Sequence, residues 1–128
     1  MNKEYVDKAK KVVESLKNDQ GKISLTTSQI RKFLAGVNAV KNKLQIYESQ
    51  GLIREDRLHE DILRDIQALK VKLIYQCGRE PKIVKPFAEK AELIKEIDAI
   101  KTSVSKFRNF AAYIEAIVAY HKFEGGRD

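Results

Sequence analysis

Apolar residues recur along this chain at steps of three and four, the period of helices that each bury one face. Tyr5, Ala9, Val12, Val13 and Leu16 share one side of a first helix over about residues 3–18, ended by the turn residues Asn18, Asp19, Gln20 and Gly21. Ile30, Phe33, Leu34, Val37, Val40, Leu44 and Tyr47 make the stripe of a second helix, over about residues 27–50. Its opening, LTTSQIRKFL at 25–34, carries a start signal. Thr26 fits the N-cap and Gln29 completes a Thr-x-x-Gln capping box, with Leu25 and Ile30 spaced for a hydrophobic staple. Gly36 lies inside this helix at a cost of about 1 kcal/mol relative to Ala, which points to close approach of a neighbouring backbone. Gly51 is a candidate C-cap.

A third stripe, Leu58, Ile62, Ile66, Leu69 and Leu73, widened by Leu63, Val71 and Ile74, predicts a helix over about residues 57–76, with Gly78 ending it. Residues 79–86, REPKIVKP, cannot be helical throughout, because each proline pushes the residue before it to extended geometry. Pro86 suits the first turn of the next helix. From Phe87 to Phe123 the apolar period hardly pauses. One reading breaks the run at Thr102 or Ser103, a capping pair. The other is a single helix of about 37 residues, roughly 55 Å long, which would need a dimer or an exchanged helix to cover it. The break is favoured, since bundles use short helices. Residues 124–128 read as a frayed polar tail. The expected fold is all-α: one helical-bundle domain over residues 1–128, of about five helices, with a long C-terminal helix as the variant.

Charge adds a functional direction. The 128 residues carry a net charge of +7, and Lys and Arg exceed Asp and Glu by 4 to 1 over residues 26–50, the densest excess. A spread positive field favours a polyanion, nucleic acid first; simple solubility is the plainer reading. Mixed-sign charge runs argue against a basic membrane-binding helix. A single cysteine, Cys77, excludes an internal disulfide and fits a reducing cytoplasm. No signal-peptide core opens the sequence, and no apolar run is long enough to span a bilayer. The expected location is cytoplasmic.

Candidate chemistry is sparse. Cys77, His59 and His121 are too scattered for a zinc site, and no phosphate-binding glycine loop is present. Cys77 reads as a small buried residue at a helix end. Glu60, Asp61 and Asp65, or Glu92 and Glu96, could hold Mg²⁺ on a helix face, yet Arg64, Lys90 and Lys95 stand at pairing distance in each group. No catalytic residue, metal or cofactor is expected. His121 suits a helix C-terminus. The aromatics lie on the apolar stripes and read as core; Tyr75 and Tyr113 would stack on bases if exposed. What remains is binding: Arg31, Lys32, Lys41 and Lys43 on the second helix, Arg79, Lys82 and Lys85 in the proline-flanked loop, and Arg108 on the last helix. Such side chains grip phosphates without reading sequence.

Three segments, TTSQIRKFL, then YQCGR at 75–79, then FRNFAAYIEAIVAYHKF at 107–123, together resemble the small subunit of type III-A CRISPR RNA-guided complexes, the Csm family. The resemblance implies a helical bundle in several copies along a ribonucleoprotein filament. It implies as partners the CRISPR guide RNA, the target RNA, the backbone and large subunits and further copies of itself, with no membrane. Cleavage belongs to other subunits of such complexes, so no enzymatic activity is implied. Arg31 carries over best, followed by Tyr75, Gly78 and Arg79, then Arg108, Tyr113 and Lys122. The implied role is a non-catalytic RNA-binding subunit in antiviral defence. It would contact the guide–target duplex through phosphates at Arg31, Lys32, Lys41, Lys43, Arg79, Lys82, Lys85, Arg108 and Lys122. The alternative is a helical protein–protein adaptor with no nucleic-acid contact, whose associations would be insensitive to salt.

Overall fold

The last helix is the hub on which the others pack. The computed structural model describes residues 3–127. Among them run α1 (Lys3–Ser15), α2 (Thr27–Ser49), α3 (Glu60–Arg79), α4 (Val84–Lys90), α5 (Leu93–Ile100) and α6 (Val104–Phe123). Phe107, Phe110, Tyr113, Ile114 and Ile117 bury α6 in the core, where it meets α1, α2 and α5. α3 lies on the far side of α2, and α4 and α5 close the gap back to α6. The fold is thus an all-α bundle, with six helices where the apolar pattern suggested about five.

The start of α2 forms as its residues dictate. The Thr26 hydroxyl accepts from the Gln29 backbone N–H at 3.2 Å, and the Gln29 side chain accepts from the Thr26 N–H at 2.8 Å. Leu25 and Ile30 are both buried. Gly36 does mark a close approach, but of a side chain: a Cβ there would lie 2.7 Å from Leu69 Cδ1 on α3. Gly51, at φ 71°, takes the left-handed position just past α2.

α3 differs from expectation at both ends. It starts at Glu60, where His59 Nδ1 accepts from the Asp61 N–H at 3.1 Å. Residues 57–59 stay outside the helix because the α5–α6 link holds this connection: the Leu58 N–H donates to the Thr102 carbonyl at 2.8 Å, and the Val104 N–H to the Asp56 carbonyl at 2.9 Å. The helix then runs through Gly78 to Arg79. It stops where Pro81 forces Glu80 out of helical geometry, to φ −126°, ψ 65°. Pro86 falls in the first turn of α4.

The long apolar run breaks at Ser103, whose hydroxyl accepts from the Lys106 N–H at 3.1 Å. A second break, at Glu92, separates α4 from α5. Glu92 and Lys101 both take positive φ, 54° and 51°, without being glycine. The Glu92 turn is held by an ion pair to Lys8 at 3.1 Å and by the buried Tyr113 hydroxyl donating to the Ala91 carbonyl at 2.9 Å. Short helices therefore cover the stripe within one chain, and no exchanged helix is needed.

The C-terminal segment is also not frayed over the described residues. Glu124 pairs with Lys17, and the Arg127 carbonyl accepts from the Thr27 N–H at 2.6 Å. Asp128 lies outside the described residues. His121 stands in the last turn of α6, as its sequence position suggested, but it is fully buried, with its Nε2–H donating to the Leu25 carbonyl at 2.6 Å. Cys77 is half-buried, and that burial pushes its thiol pKa up. Among the described residues no helix is long and apolar enough to cross a membrane.

Candidate nucleic-acid interface

The basic residues singled out by sequence divide into two groups. Lys41 pairs with Glu115 of α6 at 3.0 Å, Lys43 with Asp65 of α3 at 2.9 Å, and Arg108 with Glu48. The hydrogen bond to Asp65 raises the Lys43 pKa, so that charge is already engaged within the fold. Arg31, Lys32, Arg79, Lys82 and Lys85 are exposed and make no ion pair among the described residues. Lys122 lies on the last turn of α6.

Distance separates the groups as well. Arg31 and Glu48 stand about 26 Å apart along α2 at 1.5 Å per residue, so Arg108 sits at the opposite end of that helix from Arg31. Lys85 opens onto a different groove, between α3, α4 and α5, with Ile74, Cys77 and Ile94. Lys82 follows Pro81 beside Glu80.

Lys32 and Arg79, 47 positions apart in sequence, converge. They line a groove of about 550 Å³ between α2 and α3, together with Lys72 and Tyr75, over a floor of Phe33, Leu69 and Leu73. The end wall is Glu80, whose carboxylate accepts from Gln29 Nε2 at 2.9 Å and from Gln76 Nε2 at 3.3 Å. The Gln29 hydrogen bond is the main reason its pKa is lowered, with Gln76, Lys32 and Arg79 adding to it against a smaller opposing effect of burial. The groove thus gathers three cations around one carboxylate that is already hydrogen-bonded.

Sequence reading did not single out Lys72. The signal was present: Lys72, Tyr75 and Arg79 stand at i, i+3 and i+7, one face of a helix. Tyr113, by contrast, is fully buried and offers no face to a base.

Four of the five carboxylates that sequence grouped are engaged with lysines or arginine. Asp61 pairs with Arg64 at 3.1 Å, Asp65 with Lys43, and Glu92 and Glu96 both with Lys8.

This framework can be set beside known proteins. The profile of the family described as Csm2 Type III-A matches residues 2–127. The chain belongs to the Csm2 family. The resemblance read from three segments therefore extends over nearly the whole sequence. A Csm2 from Streptococcus thermophilus is 36% identical over 125 residues, covering 97% of this chain and 93% of that protein. A Csm2 from Enterococcus italicus is also 36% identical, covering 90% of this chain and 85% of its own length. A Mycobacterium tuberculosis Csm2 is 29% identical over 125 residues, covering 98% and 94%. Each is named as a CRISPR system protein.

Proposed function

We propose that this Csm2-family chain is a non-catalytic, cytoplasmic RNA-binding subunit of a type III-A CRISPR interference complex in antiviral defence. It packs along the assembly against the backbone and large subunits and against copies of itself, and it contacts the guide–target RNA duplex through phosphates. One observation carries the RNA contact: unpaired cations gather at one end of the bundle. Lys32, Lys72 and Arg79 line the α2–α3 groove, with Arg31 and Lys82 next to it in the chain. Lysines and arginines of this kind hold a backbone without reading bases, which suits a subunit that must accept any guide sequence.

Reversing Arg31, Lys32 and Arg79 together to Glu tests this. Binding of a labelled guide–target RNA duplex should weaken at least ten-fold while circular dichroism still reports a folded helical protein. Unchanged affinity with intact helicity would remove these residues from the interface.

A protein-contact role has its own support. Val71 and Ile74 on α3 are 64% and 52% exposed, beside the groove of about 670 Å³ that Ile74, Ala88 and Ile94 line. A pure adaptor predicts partner subunits retained in a pull-down at high and low salt with no RNA among them.

A further inference from the structure

Tyr75 stands apart from the other tyrosines. Tyr113 is buried, Tyr5 packs on it with ring centroids 5.7 Å apart, Tyr47 donates to Asp61 at 2.8 Å, and Tyr120 is half-buried against the core. Tyr75 is 69% exposed, and neither its ring nor its hydroxyl has a partner among the described residues. It nonetheless lines the α2–α3 groove, between Lys72 and Arg79 on its own helix and across from Lys32. An aromatic ring left in water gains nothing for the fold, and three cations gathered around it gain nothing from one another.

We propose that this groove seats one unpaired nucleotide of a nucleic-acid strand, its base against the Tyr75 ring and its flanking phosphates on Lys32, Lys72 and Arg79. The inference rests on the RNA-binding reading above and adds a ligand to it. Stacking on tyrosine is open to any base, because every base has a π face. A fully paired strand cannot use the seat, since its bases are already stacked inside the duplex. At about 550 Å³ the groove falls in the usual range of small-ligand sites. Charge complementarity requires an anionic ligand, and the flat apolar ring selects one that carries a planar group.

The test uses the full chain, a short single-stranded oligonucleotide containing 2-aminopurine, in ribose and deoxyribose forms, and a fully paired RNA duplex. Stacking on Tyr75 should quench the 2-aminopurine. Tyr75→Ala should weaken single-strand binding five-fold or more and abolish the quench, Tyr75→Phe should keep both, and duplex affinity should stay unchanged in each. Binding of either sugar form supports the seat, and the tighter one names its source. Single-strand affinity unchanged in Tyr75→Ala would overturn the seat. If Lys32→Glu with Arg79→Glu still weakens duplex binding in that case, the phosphate reading stands alone. If those reversals leave every affinity unchanged, both fall. An oligoglutamate peptide that competes as well as the oligonucleotide would overturn the assignment to a nucleotide.

Discussion

Gly126 lies against the buried imidazole of His121, so close that a Cβ there would overlap the ring. The ring cannot yield, because it is fully buried and its Nε2–H is tied to the Leu25 carbonyl at 2.6 Å. The strap that follows carries the Arg127 carbonyl to the Thr27 N–H, a donor in the first turn of α2 with no partner inside that helix. Gly126→Ala should lift the strap and cost about 1–3 kcal/mol, as overpacking in a filled core does. Thermal unfolding checks it: an unchanged melting temperature would mean that the strap does not lean on His121. The Thr26–Gln29 capping box was legible from four consecutive residues. The role of His121 was not, because its partners Leu25 and Gly126 lie 96 and 5 positions away and leave no periodic trace.

At the scale of elements, the turns decide the architecture. Asp56, in the α2–α3 connection, accepts from the Ser103 hydroxyl, from the Ser105 hydroxyl at 3.0 Å and from the Ser105 N–H at 2.8 Å. It is a second cap for α6 supplied by a distant loop. The Ser103 hydrogen bond, then that of the Ser105 backbone, holds its carboxyl below the usual aspartate range, against a smaller effect of burial. The folded state thus favours the ionised form. The stability this contributes is present above the ordinary aspartate pKa of about 3.9 and is lost as the pH falls below it through the lowered folded value. Asp56→Asn should lower the melting temperature at neutral pH and flatten its fall on acidification. An acid limb identical to the wild type would remove Asp56 from the linkage. The Ser103 break could be read from a capping pair. The Glu92 break could not, because nothing in the local chemistry of a glutamate asks for left-handed backbone. There the ion pair to Lys8 and the hydrogen bond from the Tyr113 hydroxyl to the Ala91 carbonyl hold the turn.

Across the whole molecule, basic residues differ in availability and not only in number. Lys41, Lys43 and Arg108 reach across helices to Glu115, Asp65 and Glu48. Such surface pairs contribute little stability each, about 0–1 kcal/mol, but they shield the charges they join. Lys32, Lys72 and Arg79 make no such pair among the described residues, and the one carboxylate in their groove, Glu80, is outnumbered three to one. Neutralising Arg79 to Gln should therefore reduce the salt dependence of RNA binding by about one unit of log–log slope, while Lys41→Gln should leave it nearly unchanged. Equal effects of the two would show that position on the bundle does not matter.

The all-α class, the capped start of α2, the Ser103 break and the family were determined by the sequence itself. Each is written in local spacing or in short segments, where a helix repeats every few residues and a cap closes within one turn. Only the tertiary structure decided the extra α4–α5 turn, the later start of α3, the strap over His121 and which cations remain unpaired. These depend on groups brought together from far along the chain: Asp56 with Ser105, Leu25 with His121, Lys32 with Arg79. Helical periodicity says which face of each element is buried, but not which element lies opposite.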